Sequence, residues 1–206
     1  MKLAFMTVVL GATLATASTG ASAQLGGLLK GGDSAKGGSI TSDQIVKRYV
    51  GGAKNVVNAN TSMLEAVGLK DEASASAAQA ANLTEGATKD ALEESVKVQT
   101  ANSKALEAKL ADSSLKLDAA GKKKFSAGVT ELAKGVVSYV TLGKDASGFK
   151  PGISSLGGST TSAVYVAKSL PESTKTLAHT LKMAIEYCKA NNIAVDKSAT
   201  DATSLI

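Results

Sequence analysis

Apolar residues recur every three or four positions along most of this chain, the period that places them on one face of an α-helix. The first such row runs Val46, Val50, Ala53, Val57, Leu64 and Val67, with Asn60 interrupting it. The segment is fenced at both ends. Thr41-Ser42-Asp43-Gln44 has the form of a capping box, in which the Thr41 hydroxyl accepts from one free backbone N–H and Gln44 reaches back to another. Ile40 and Ile45 stand at the two positions of a hydrophobic staple. Gly68 suits a left-handed stop, and Leu69 can fold back on Leu64 as in a Schellman motif. Start, stripe and stop agree on a helix.

Asp71 can cap a second helical stretch, Glu72–Leu83, which is nearly pure Ala, Ser and Gln. Alanine has the best intrinsic helix propensity, yet it buries little area, so this piece must pack close or stay weak. After Thr84-Glu85-Gly86 the helical period resumes over Thr88–Ala111, with Leu92, Val96, Leu106 and Leu110 on one stripe. Glu93 precedes Lys97 by four residues, a favourable pairing worth about 0.2–0.5 kcal/mol. The pattern leaves open whether residues 71–111 form one kinked helix or two.

Asp118–Leu142 is the next helix, with Phe125, Val129, Leu132, Val136 and Val140 on its apolar face. Gly121, Gly128 and Gly135 recur every seventh residue beside that face. Each mid-helix glycine costs about 1 kcal/mol relative to alanine, so three in register call for a reason. The favoured one is a groove that admits the backbone of a neighbouring helix. The competing one is a seam for self-association or membrane packing, although the seven-residue spacing fits small-xxx-small interfaces poorly.

Gly143–Gly158, with Gly148, Pro151 and Gly157, reads as an internal loop. Ala163-Val164-Tyr165-Val166-Ala167 is β-friendly, but no partner strand is evident and a lone strand cannot satisfy its backbone. Ser159–Leu170 is therefore assigned as helix. Pro171 suits a first helical turn, opening a helix with Leu177, Leu181, Ala184, Ile185 and Cys188 inward. Asn191-Asn192 ends it. Ala194–Ile206 is a polar tail with room for one short turn. The expected fold is all-α, an antiparallel helical bundle of four to six helices spanning residues 40–193.

What precedes the bundle reads as an address. Met1–Ala23 has the layout of a secretory signal peptide: Lys2, a run of about a dozen mostly apolar residues, and the small-x-small site Ala21-Ser22-Ala23. A membrane span needs about 20 apolar residues, more than this run provides. Cleavage is expected before Gln24, and no Cys follows the site to carry a lipid anchor. Gln24–Ser39 holds six glycines and reads as a flexible lead-in. An exported protein, periplasmic or extracellular, is the implied destination.

Composition narrows the chemistry. The 206 residues contain a single Cys and a single His, which excludes a disulfide framework, multi-Cys zinc sites and His-cluster metal centres. Removing the leader takes only Lys2 from the 23 basic side chains against 18 acidic ones, so the net charge falls by one unit from +5. Arg48 is the only arginine and there is no Trp, a poor endowment for a nucleic-acid reader. The basic run Lys122-Lys123-Lys124 reads as a solvated helix start rather than an anion patch. Of the few aromatics, Phe5 in the leader and Phe149 in the loop are expected outside the core.

His179 and Cys188 are the one tempting nucleophile–base pair. Nine residues apart in one helix, they are separated by about 13 Å of rise and about 180° of rotation. His179 falls on the polar side and Cys188 on the apolar stripe, so neither is assigned a catalytic role. No phosphate-binding loop, nucleophile elbow or acylation motif is present. Glu93 and Glu94 fall on polar faces. Asn60-Thr61-Ser62 and Asn82-Leu83-Thr84 match glycosylation acceptors, relevant only in a eukaryotic secretory pathway. The residues thus point to no catalytic, cofactor or metal site. They favour an exported binding or structural module of the cell envelope, with a protein or envelope partner and no nucleic acid. Two rivals are a membrane-active or lipid-binding helical protein, for which interfacial aromatics are missing, and an enzyme with an unfamiliar site.

Overall fold

The computed structural model describes residues 40–151 and 158–206, and every regular element among them is helical. The helices are α1 (Ser42–Ala66), α2 (Lys70–Asn82), α3 (Lys89–Leu110), α4 (Ala119–Ala146), α5 (Gly158–Ala190) and α6 (Lys197–Ala202), followed by a 3₁₀ turn at Thr203–Leu205. The leader, the cleavage site before Gln24 and the Gly-rich lead-in lie outside the described residues.

The limits of α1 follow from its own side chains. The Gln44 N–H donates to Thr41 Oγ1 at 3.2 Å and the Thr41 N–H to Gln44 Oε1 at 3.0 Å, closing the capping box. At the other end Gly68 sits at φ +85°. The Leu69 N–H reaches the Leu64 carbonyl at 2.8 Å and the Gly68 N–H that of Glu65 at 3.1 Å, the two bonds of a Schellman motif. The chain then folds back, and Ser76 on α2 donates to the Val57 carbonyl at 2.8 Å.

Successive long helices alternate in direction. Arg48–Asp145 at 2.6 Å and Lys124–Glu65 at 2.6 Å join opposite ends of α1 and α4, so these two run antiparallel. Helix α5 returns along α4: Lys122 Nζ donates to the Asn191 carbonyl at 2.8 Å, and Phe125 meets Tyr187 edge-on at 5.3 Å. Helices α3 and α5, which are not consecutive, lie parallel. Ser162 donates to the Ala87 carbonyl at their starts, and Thr180 approaches Glu107 further along. Helix α1 is the centre of the bundle. Besides the expected row it buries a second one, Ile45, Tyr49, Gly52, Val56, Ala59 and Met63, turned toward α4.

One point left open by the pattern is resolved and several expectations need correcting. Residues 71–111 form two helices, and α2 begins at Lys70 behind Leu69, which makes no side-chain cap; Asp71 lies inside the first turn. There its carboxylate meets the positive end of the helix dipole instead. Thr88 does cap α3, accepting from the Ala91 N–H at 3.3 Å. Glu93 pairs backward with Lys89 at 2.8 Å, while Lys97 turns to Glu94 at 3.9 Å. Helix α4 does not stop at Leu142 but passes through Gly143 to Ala146, because Leu142 and Ala146 continue its buried face. Phe149, expected outside the core, is half-buried and packs against it.

Pro171 does not open a helix: it lies inside α5, which runs unbroken from Gly158 to Ala190. Its missing N–H removes the bond to the Ala167 carbonyl. Buried Val166 and Leu170 before it and Leu177 after it hold both halves on the same core. Asn192 ends α5 in the left-handed region at φ 52°, with the Ile193 N–H on the Cys188 carbonyl at 2.8 Å. The tail is docked as well. Asp196 caps α6 through the Ser198 N–H at 2.8 Å, and Ala199 and Ala202 are buried where α6 packs on α4.

Candidate functional site

The three registered glycines of α4 meet α1, though not equally. A Cβ on Gly128 would stand 2.6 Å from Met63 Cγ and 3.0 Å from the Ala59 carbonyl oxygen. One on Gly135 would stand 2.5 Å from Val56 Cγ2 and 3.4 Å from the Gly52 oxygen. Both positions place backbone against backbone. Gly121 is looser, 3.5 Å from the Ala66 oxygen, and its N–H is taken by the Asp118 cap at 2.6 Å. The sequence reading overlooked the reciprocal glycine, Gly52 on α1, where a Cβ would stand 2.9 Å from the Tyr139 ring. A glycine on each partner, mid-helix in both, was the available signal.

Helix α3 presents a different inner face. Its buried residues are Leu92, Ser95, Gln99, Asn102, Ser103 and Leu106. Val96 and Leu110, expected beside Leu92 and Leu106, are only half-buried. Leu92 and Leu106 are fourteen residues apart and so fall on one line of the helix. Anchoring both forces the line between them inward, and that line is polar.

Tyr49 stacks on Tyr139 with ring centroids 5.0 Å apart and planes at 17°. The Tyr139 hydroxyl donates to Gln99 Oε1 at 3.2 Å, and Gln99 Nε2 donates to Ser95 Oγ at 2.9 Å. There the network ends. The Tyr49 hydroxyl faces Tyr139 and Gln99 without a well-formed hydrogen bond to either, and Asn102 Nδ2 and Ser103 Oγ have no partner among the described residues. The Asn60 side-chain amide, on the α1 row that also meets α2, is likewise unpartnered. Burial pushes the Tyr49 phenol up to about 12 and the Tyr139 phenol well above its ordinary value. The layer is polar but stays neutral.

Clefts open on the surface at both ends of α3. One, of about 460 Å³, lies where α1, α3 and α5 begin, with Asp43, Thr88, Asp90, Gly158 and Ser162 in its lining. Thr41 and Thr88 each cap one first-turn N–H there, those of Gln44 and Ala91, and Asp43 and Asp90 add negative charge to the first turns of α1 and α3. The other, of about 470 Å³, lies between the α3–α4 connection and the end of α5, beside Leu115, Met183 and Tyr187. Asp112 in its wall is held below its ordinary value by hydrogen bonds from the Ser114 hydroxyl at 2.6 Å and N–H at 2.9 Å.

The structure keeps His179 and Cys188 apart. His179 is exposed, whereas Cys188 is fully buried and its thiol is pushed up to about 12 by desolvation. A thiol in that state is a small hydrophobe, not a nucleophile. The Lys122–Lys124 run disperses: Lys122 binds the Asn191 carbonyl, Lys124 pairs with Glu65 and Lys123 is exposed. Of the two glycosylation motifs, Asn60 is buried and Asn82 exposed. Among the described residues no group of three His, Cys, Asp or Glu side chains is placed to hold a metal ion. Among them, too, no helix is long and apolar enough to cross a membrane. Comparison of the chain with protein-family models, with curated proteins and with solved structures returns no match.

Proposed function

We propose that this chain is an exported, non-enzymatic binding or structural module of the cell envelope that acts through its surface on a protein or envelope partner. The observation that carries the reading is the state of its reactive side chains: the one thiol is buried and held protonated, and the one imidazole stands on the opposite side of the same helix. Acid–base or nucleophilic chemistry needs such groups within hydrogen-bond reach of each other. Among the described residues the carboxylates lie on half-buried or exposed positions, and several pair with lysines, as in Lys89–Glu93 and Lys134–Glu131. The leader reading supplies the destination.

The test is chemical cross-linking of the native protein in fractionated cells, with intact mass of the recovered chain. A chain beginning at Gln24, found outside the cytoplasm and cross-linked to a discrete partner, is the expected result. Retention of Met1 in a cytoplasmic pool overturns the export part. Co-sedimentation with liposomes at both low and moderate salt transfers the reading to the lipid-binding alternative.

A further inference from the structure

We infer that α3 is a hinged lid, a helix that swings away from α1, α2, α4 and α5 as a unit while those four stay folded. Three independent features of the closed state lead there. The inner face of α3 buries two large apolar anchors, Leu92 and Leu106, around four polar residues. Two of those four, Asn102 and Ser103, each have a side-chain atom without a partner among the described residues, and the Tyr49 hydroxyl faces Tyr139 and Gln99 without a well-formed hydrogen bond to either. Closing takes these groups out of bulk water and gives them no protein partner among the described residues, and opening returns them to it.

The ion pairs show the same division. Lys89–Glu93, Lys97–Glu94 and Lys109–Asp112 lie within α3 and its C-terminal turn, so they travel with the helix. The pairs Arg48–Asp145 and Lys124–Glu65 instead tie α1 to α4, and Lys47–Glu85, at 3.2 Å and well exposed, reaches the connection before α3 rather than α3 itself. Among the described residues, the side-chain bonds that hold α3 itself shut are Tyr139 to Gln99 and Thr180 to Glu107, with Ser162 on the Ala87 carbonyl and Tyr187 on the Leu115 carbonyl at its two flanks.

The third feature is the pair of hinges. Thr84-Glu85-Gly86 is exposed, and Gly86 has open space where a side chain would be. Asp112–Ser114 and Lys116 are exposed on the other side. Short exposed turns of this kind absorb the backbone rotation that α3 needs in order to swing out, and once detached from its neighbours the helix is only marginally stable in water and frays, which exposes its amides.

Amide hydrogen exchange of the intact protein tests this. Protection factors across residues 88–111 should lie at least tenfold below those of α1 and α4, and urea should affect them weakly until global unfolding takes over. The double variant Asn102→Leu/Ser103→Ala, which removes the unpartnered groups, should raise α3 protection at least tenfold and leave that of α4 unchanged. A single protection factor shared by α3, α1 and α4 overturns the inference for the wild-type chain, whether or not the variant folds. Unchanged or lower α3 protection in a folded variant overturns it as well, because the polar layer would then not drive opening.

Discussion

The α1–α4 contact and the inner face of α3 bury their residues by opposite means. Along α1–α4, glycines remove side chains so that backbones approach, and Val56, Met63, Phe125, Val129, Leu132 and Val136 fill the space around them. Dispersion and apolar burial do the work, and the contact tolerates little change of volume. On α3 the packed surface consists of Ser, Gln and Asn between two leucines, and some of its hydrogen-bonding capacity goes unused. Burial therefore does not measure stabilisation. Equally buried positions differ in sign according to what they lose on leaving water.

The sharpest way to break this contrast is to truncate the apolar side. Leu132→Ala should cost about 2–5 kcal/mol in urea melts, because it empties a fully buried site. A cost under about 1 kcal/mol would mean that the α4 face is far looser than its packing implies. Next comes Gly128→Leu, expected to destabilise by about 1–3 kcal/mol despite the better helix propensity of leucine, because the side chain meets the α1 backbone at Ala59 and Met63. A stabilised variant would show that the two helices separate freely.

Alkaline titration probes the aromatic pair that joins the two regions. Tyr49 and Cys188 have folded-state values raised to about 12 from ordinary values of 10.0 and 9.0. Above about pH 9 the unfolded chain ionises first, so their contribution is complete below that pH and is lost as pH rises toward 12. The slope reaches about 1.4 kcal/mol per pH unit for each group. Tyr49→Phe should flatten its share, and an unchanged profile in that variant would place the cause elsewhere.

Smaller effects are expected on the polar side. Asn102→Leu should be neutral or stabilise by up to about 1 kcal/mol, since it replaces an amide whose buried Nδ2 has no partner among the described residues by an apolar group of similar size. A loss of 2 kcal/mol or more, about the size of a core truncation, would erase the difference between the regions. Lys124→Ala should be smallest, about 0–1 kcal/mol, because its ion pair with Glu65 is substantially exposed.

Helix limits were legible wherever they are written in local chemistry. The capping box at Thr41–Gln44, the left-handed Gly68 and the Asn192 stop involve partners within a few residues of one another, and a chain pattern carries such information completely. Local rules failed where distant residues outvoted them. Pro171 stays inside α5 because buried residues on both sides fix the helix to the core, and α4 runs past Gly143 for the same reason.

By itself, then, the sequence determined that the described body is helical, where most helices begin or end, and that His179 and Cys188 stand on opposite sides of one helix. Only the tertiary structure decided which face of each helix is spent on which neighbour. The period of α1 revealed one buried row, but a second becomes visible only with α4 beside it. The stripe of α3 was read from its apolar residues, yet its rotation is set by Leu92 and Leu106 seating together, which carries Ser95, Gln99, Asn102 and Ser103 inside. Periodicity fixes the angles between side chains on one helix. The direction in which the helix is turned depends on the sum of contacts with all its neighbours, and that sum is not written in any local stretch of chain.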